Sequence, residues 1–448
     1  MLKRMRSFLV LVMLFITVTM SAQVTTATMS GKVTAQDEPI IGATIVAVHE
    51  PSGTRYGTVT NVSGQFNLQG MRTGGLYKVE ISYVGYQTAI YKGINLLLGE
   101  NYVLNVSLKE SSELLDEVVV TASKESNMKS DRAGAIMNAN RDMINSTPTI
   151  SRSISDIMRL SPQGADVGNG FAVGGGNYRQ SFVTVDGAAF NNTFGLGGNL
   201  PANGSPISLD ALEQVTVAVT PFDVRQSGFT GGAINAVTRS GDNQFRGTVY
   251  GYFNNENLRG DRVEDYKLTR SKSQYYTYGA SFGGPIIKDK LFFFVNGEYE
   301  DNVTAGSSYQ PRTSLDQEYT GNVRRPVENT IVDGNETWVG LNDMRQYLKE
   351  KYNYDPGRYN NYSVNTPAYR IMARLDWNAN LNNKLSLRFT KTHTKDSNFP
   401  SSSTSPLSAD DIYPGDTGLG IPKGKDSGRS TKYSMSFENS RSEEHTSE

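Results

Sequence analysis

The 448 residues carry 44 Lys+Arg against 45 Asp+Glu, a formal net charge of -1, so no global field points to nucleic acid or to an anionic membrane surface. A mean hydropathy of -0.44 argues strongly against a helical membrane protein but not against a β-barrel, in which only alternate residues face lipid. Cys 0 excludes disulfides, thiolate metal sites and a cysteine nucleophile; His49, His393 and His445 form no HExxH or triad-like neighbourhood and read as ordinary surface residues, so no metal, cofactor or enzyme activity is expected.

Lys3, Arg4 and Arg6 precede the apolar run FLVLVMLFITV, and MSA before Gln23 offers a small-residue cleavage site at Ala22. The run falls short of the ~20 residues that span a bilayer, so residues 1–22 are predicted to be a secretory signal peptide and the mature chain to be exported. No cysteine follows the cleavage site, which excludes lipid attachment there.

Residues 24–109 then alternate short β-rich runs (MSGKVTA, GATIVAVH, YKVEISYVGYQTAIY, NYVLNVSLKE) with turn clusters such as HEPSGTR and MRTGG. In YKVEISYVG, Val79, Ile81 and Tyr83 are predicted on one face and Lys78, Glu80 and Ser82 on the other, which fits a β-sandwich. The pattern around PIIGATI and ISYVGY resembles the carboxypeptidase-regulatory-like, transthyretin-like domain. That resemblance implies no peptidase activity, and the domain reads as a periplasmic spacer or interaction module.

Next comes LLDEVVVTAS, Leu114 to Ser123, followed by KESNMKSDRAG, which has no apolar period. The valine triplet Val118–Val120 favours an extended strand, while Asp116 and Glu117 discourage self-association of a free one. Two readings stand: the last strand of the preceding sandwich, or a strand offered to another protein. Beyond it, SISDIMRLSP puts Ile154, Ile157 and Met158 on one helical face with Ser151 or Ser153 as cap. VGGGNYR lacks the GxxxxGK[ST] spacing of a phosphate loop and reads as tight turns. Asp186-Gly187 after SFVTV is a hairpin signal, and SLDALEQVTVAV predicts one helical turn capped by Ser208 that runs into a strand. SGFTGGAINAVTRSG alternates small residues, as closely packed β-structure does.

FVTVDGAAFNN, SLDALEQVTV and SGFTGGAINAVTRSG resemble successive motifs of the plug domain of TonB-dependent outer-membrane receptors, in the family's order and near its spacing. Together with PFDVRQSGFTGG and the later GGPIIKDKLFFF, they are similar to the Oar-like subgroup with an N-terminal carboxypeptidase-regulatory-like domain, over Ser30 to about Asn439. The resemblance implies a plug over 124–241 and a TonB-box-like segment over 113–123. In that segment Asp116, Glu117, Val118, Val119, Val120 and Thr121 would contact TonB and, through it, the proton-driven inner-membrane complex. It also implies a place in the outer membrane of a Gram-negative cell, with the N-terminal domains periplasmic. An extracellular ligand of unread identity would be met near Asn177, Tyr178, Arg179, Asn191, Asn192 and Phe194, residues that equally suit turns. An outer-membrane binding or adhesion protein on the same scaffold, without uptake, is the alternative. No nucleic-acid partner is expected.

From 242 to 440 the chain alternates as a barrel wall does. Phe245, Val249 and Phe253 oppose Arg246, Thr248 and Tyr250. Ile371, Ala373, Leu375 and Trp377 oppose Arg370, Met372, Arg374 and Asp376. Leu385, Leu387 and Phe389 oppose Lys384, Ser386, Arg388 and Thr390. Period alone equally allows a soluble sandwich with the polar row in water. Residues 301–366 form a long polar insertion in which LNDMRQYLKEKY predicts an amphipathic helix on Leu341, Met344 and Leu348. The predicted fold is mainly β: an N-terminal β-sandwich, an α+β plug domain and the first strands of an antiparallel transmembrane β-barrel. That barrel is incomplete, because the family's has about 22 strands and only about half a dozen candidates follow the plug. The closing RSEEHTSE, residues 441–448, back-translates into a sequencing-adapter sequence and is expected to be a non-native tail.

Overall fold

The computed structural model describes residues 25–110, 118–121, 136–149, 152–167, 170–191, 200, 205–219, 231–258, 260, 262–267, 272–305, 329–332, 335–338, 341–355, 363–381, 383–395 and 429–441. The expected signal peptide, and the tail beyond Arg441, lie outside them.

Alternating apolar positions first build a two-sheet sandwich. Its strands are β1 (Ala27–Ala35), β2 (Glu38–Pro39), β3 (Thr44–His49), β4 (Thr54–Val59), β5 (Gln65–Met71), β6 (Leu76–Ser82), β7 (Ala89–Asn95), β8 (Asn101–Val103), β9 (Val106–Ser107) and β10 (Val118–Thr121). One sheet runs β2-β1-β5, with β8 and β9 added in parallel to β1; the other runs β10-β7-β6-β3-β4. Met29, Val33, Ile45, Ala47, Val79 and Ile81 fill the space between them. Tyr83, expected beside Val79 and Ile81, is instead exposed: β6 stops at Ser82, and Tyr83 packs on Tyr86 across the following turn, ring centres 5.7 Å apart.

His49 also departs from expectation. It is buried, with Nδ1 2.6 Å from Ser52 Oγ and Nε2 2.6 Å from the Gly74 carbonyl. Burial, helped by Arg72, pushes its pKa down to about 3, so the folded protein holds it neutral. The unfolded chain takes up a proton below the ordinary value of 6.5 that the folded one refuses until about 3. Stability is therefore expected to fall with pH through that window, by up to about 1.4 kcal/mol per unit. Thermal unfolding of His49→Gln should show a flatter dependence between pH 6.5 and 4; an unchanged slope would mean other groups carry it.

A second unit follows: β11 (Ile136–Asn140), α1 (Arg141–Ser146), α2 (Ile154–Met158), β12 (Gly164–Asp166), β13 (Phe171–Val173), β14 (Phe182–Val185), β15 (Ala188–Ala189), β16 (Leu212–Ala218) and β17 (Ala233–Thr238). Its main sheet has the order β11-β16-β17-β14-β15, parallel only at β14–β17. Asn140 caps α1 by accepting the Met143 N–H at 3.0 Å. The Asp156 carboxylate accepts the Ser153 N–H at the start of α2, and Ile154, Ile157 and Met158 are buried as their spacing predicts. Asp186 and Gly187 both take positive φ, +50° and +80°, between β14 and β15, as a two-residue type I′ hairpin requires. Every residue of β17 is buried, which accounts for its small side chains.

The third unit contains β18 (Arg246–Asn255), the β19 (Arg262–Val263) and β20 (Tyr266–Lys267) hairpin, β21 (Ser273–Ile287), β22 (Leu291–Ala305), the β23 (Asn329–Val332) and β24 (Asn335–Trp338) hairpin, α3 (Leu341–Tyr352), β25 (Ser363–Asn378), β26 (Asn383–Lys395) and β27 (Arg429–Arg441). Six of these form one antiparallel sheet in the order β18-β21-β22-β25-β26-β27. Among the described residues β18 and β27 do not pair with each other, so this sheet is an unclosed barrel wall. Its β21–β22 and β25–β26 turns are short, and the long insertion lies at the other rim. No helix among the described residues is long and apolar enough to cross a membrane, which says nothing of strands.

Candidate functional site

The alternation along the barrel sheet is buried the wrong way round for a soluble protein. On β25, Arg370 is 1% exposed while its neighbour Ile371 is 46% exposed, and Asp376 is buried while Trp377 is 50% exposed. A soluble sandwich would bury the apolar row; here the charged row is inside and the apolar row faces out, as lipid demands. Cross-strand register lines up Tyr278, Tyr299, Tyr369 and His393 in one outward row. Trp377 lies eight residues along β25 from Tyr369, roughly 27 Å of strand, or about 20 Å once a tilt near 40° is allowed for. The outward residues between them on β25, Ile371, Ala373 and Leu375, are apolar.

The inward row meets the central unit through charge. Arg370 sits between Glu298 (2.8 Å) and Glu300 (2.7 Å) of β22, and its Nε donates to the Ser205 carbonyl at 2.5 Å. Ser208 and Tyr250 hydroxyls both reach Glu298, at 2.9 and 2.5 Å, and Thr392 Oγ1 donates to the Pro206 carbonyl at 2.5 Å. The segment Ser205–Ser208, which caps the helical turn before β16, is thus fastened to three barrel strands beyond β18 and to β18 itself.

Lower on the sheet, Arg374 holds Asp376 at 2.9 Å and donates through Nη1 to the Thr238 carbonyl at the end of β17, 2.6 Å. Asp186, the hairpin residue, accepts from Thr238 N–H (3.0 Å) and Oγ1 (2.5 Å) and lies 3.6 Å from Arg388. A third cluster surrounds Asp210. Burial alone would raise its carboxyl, but hydrogen bonds from Ser281 and Thr248 and the charges of Arg141 and Arg239 outweigh it and hold the group below its ordinary range. The seam thus combines directional, charge-assisted bonds with an apolar contact, in which Phe294 and Met372 of the barrel sheet join the buried core of the central unit. Among the described residues no cluster of His, Asp and Glu is arranged to hold a metal.

Of the candidate ligand residues, Asn177, Tyr178, Arg179 and Asn191 are described. Asn177 caps the turn Tyr178–Gln180, its Oδ1 accepting the Arg179 N–H at 3.0 Å, and Arg179 lies exposed with Nε 3.1 Å from the Tyr178 hydroxyl. Asn191 commits its amide to the fold: Oδ1 accepts Val183 N–H (2.6 Å) and Nδ2 donates to the Ser181 carbonyl (2.7 Å). Asn192 and Phe194 lie outside the described residues, as do Asp116 and Glu117 of the TonB-box-like segment.

Val118–Thr121 of that segment is β10. It is not unpaired in this structure: it lies parallel to β7, Val118 opposite Ala89 through Thr121 opposite Lys92, as the edge of the sandwich sheet. Among the described residues β7 otherwise has only β6 beside it, so its other edge supplies the partners that the extended valines need. Sequence reasoning missed the roles of Asp186 and of Glu298 and Glu300. The available signal was charge placed on the inward row of strands whose other row is apolar.

Residues 28–109 match the carboxypeptidase regulatory-like domain family, and residues 237–421 match the outer membrane beta barrel domain family. The TonB-dependent transporter Oar of Myxococcus xanthus is 25% identical over 300 residues, 64% of this chain and 26% of that protein. The TonB-dependent receptor SusC of Bacteroides thetaiotaomicron is 29% identical over 221 residues, 46% of this chain and 20% of that protein. The solved siderophore receptor PirA from Acinetobacter baumannii superposes with a TM-score of 0.38 at 15% identity, over 59% of this chain and 32% of that one. The chain thus spans about a quarter or less of the length of the curated relatives named here.

Proposed function

We propose that this chain, which joins a match to the carboxypeptidase regulatory-like domain to a match to the outer membrane beta barrel domain, belongs to a TonB-dependent outer-membrane receptor, and that the protein imports an extracellular ligand when TonB pulls on β10. Its relatives are receptors and transporters, not enzymes. In this reading the central unit, Ile136 to Thr238, is the plug, the short-turn rim and the sandwich face the periplasm, and the long insertion faces outward. The observation that carries it is the seam between the inward charged row and the central unit, with Arg370 at its centre. A plug that must be remodelled and reseated needs an interface of exchangeable polar bonds, and a permanent structural core does not.

TonB would take β10 by strand addition, main chain to main chain. At about 1 kcal/mol net per hydrogen bond, four residues give a grip that is directional along the pull yet reversible. Asp116 and Glu117 would flank that grip, and Asn177 to Arg179, with Asn191, Asn192 and Phe194, would stand near the ligand. Cysteine at Val119 is expected to cross-link to a cysteine-bearing periplasmic domain of TonB in outer membranes containing the protein. No adduct above that of an outward barrel position such as Val249→Cys would sink the import reading and leave adhesion without uptake.

A further inference from the structure

We propose that the N-terminal sandwich is a gate: it closes the short-turn rim of the barrel wall from below, pinned by Arg72 on Asp376, and must undock for passage. The inference rests on the import reading above and adds a second closure to it. Four contacts support the docking. Arg72 Nη2 lies 3.0 Å from Asp376 Oδ2, with both side chains largely buried. Asn378 Nδ2 donates to Thr54 Oγ1 at 2.9 Å, and the Asn243 N–H donates to the Pro51 carbonyl at 3.0 Å. Lys384 Nζ stands 4.1 Å from the centre of the Tyr56 ring. Between these points Gly53, at φ +65°, runs so close to Asp289 that a Cβ there would come within 2.2 Å of its Oδ1. The fit is therefore shaped to the backbone as well as to charge.

Asp376 is the shared member. Arg374 binds it from the barrel and also binds the Thr238 carbonyl of the central unit, while Arg72 binds it from the sandwich. All three parts of the chain therefore meet at one ionic cluster. A cavity of about 600 Å³ lies beside the cluster, between His49, Arg72 and Gly74 of the sandwich and Arg141, Gln214 and Arg239 of the chain beyond it, but at the cluster itself about 50 Å³ is left, room for a water or two. A route past the central unit at this point has to displace the sandwich.

The pin is also releasable. When Arg72 withdraws, Asp376 keeps Arg374 and the Ser386 hydroxyl at 2.5 Å, so no lone buried charge is left behind, and Arg72 returns to water. That distinguishes it from a pair whose rupture strands one partner.

The test uses the protein in its outer membrane, where this chain contributes no cysteine of its own. Thr54→Cys with Asn378→Cys, treated with a short bifunctional thiol reagent, is expected to join at least ~10-fold faster than Val84→Cys with Asn378→Cys; Val84 is 93% exposed and away from the rim. Arg72→Gln, which removes the guanidinium that pairs with Asp376 and lies over Phe292, should slow the joining about tenfold, and Arg72→Ala should do the same. The purified periplasmic domain of TonB should slow it too. A rate equal to the control pair, or one indifferent to both Arg72 variants, overturns the docking. A rate undiminished by TonB while Val119→Cys still cross-links to TonB makes the sandwich a fixed floor and overturns the gate alone. Loss of the Val119 cross-link overturns the import reading itself.

Discussion

Arg370→Ala is expected to loosen the central unit from the barrel wall more than any other single change. Arg370 is 1% exposed, and it neutralises Glu298 and Glu300 together while bonding the Ser205 carbonyl. Truncation would leave two carboxylates facing each other across an emptied space, with the Tyr250 and Ser208 hydroxyls still on Glu298. Removing one partner of a buried ion pair typically costs about 3–5 kcal/mol, because the penalty falls on the charge left behind. The denaturant midpoint of the protein in outer-membrane vesicles should drop accordingly. Thiol labelling of a cysteine at Ser205 should rise. Glu298→Gln with Glu300→Gln in the same background should recover much of the loss, since neutral amides need no counter-charge. A stability loss below about 1 kcal/mol would mean that water already screens this site and that the seam is not held here.

Val119→Pro is expected to abolish capture of TonB while leaving the protein in the membrane at its normal level. Val119 is an inner residue of the four-residue β10, opposite Ile90 of β7. Proline removes its N–H and fixes φ, which a strand adding to another sheet tolerates poorly away from an edge. With only a handful of main-chain bonds at about 1 kcal/mol each, losing one and distorting its neighbour should weaken TonB binding about 10- to 100-fold. The Arg370 seam lies elsewhere, so vesicle stability should not move. Val119→Thr, which keeps β-branching and the N–H, serves as the matched control. Undiminished capture by the proline variant would show that TonB holds another segment. Because β10 also pairs with β7, the proline should free the strand from the sandwich as well; a gain in TonB capture would mean that release from β7, not strand addition, limits engagement.

What lay open in the sequence was whatever a local rule enforces. Pleating points successive side chains to opposite faces, so Arg370, Arg374 and Asp376 were separable from Ile371, Leu375 and Trp377 on β25 before any fold was known. The Asp186-Gly187 turn was legible because few residues accept positive φ, and the starts of α2 and of the turn after Ser208 because capping needs a short polar side chain. Motif order added the family, which no single stretch carried. Period two, however, does not say which row faces lipid. Only the packed sheet, with Arg370 inside and Ile371 outside, chose the membrane over water. Likewise, a valine run can be read as an edge strand or as a partner's strand, and it took the free edge of β7, thirty residues away, to show that β10 is docked. His49 read as a surface residue because nothing nearby in sequence announces Gly74, whose carbonyl takes its ring. The clusters around Asp186, Asp210 and Asp376 were beyond sequence reasoning for the same reason: each joins residues far apart in the chain, and the partner of a buried charge is settled by how separate elements pack, not by its neighbours along the backbone.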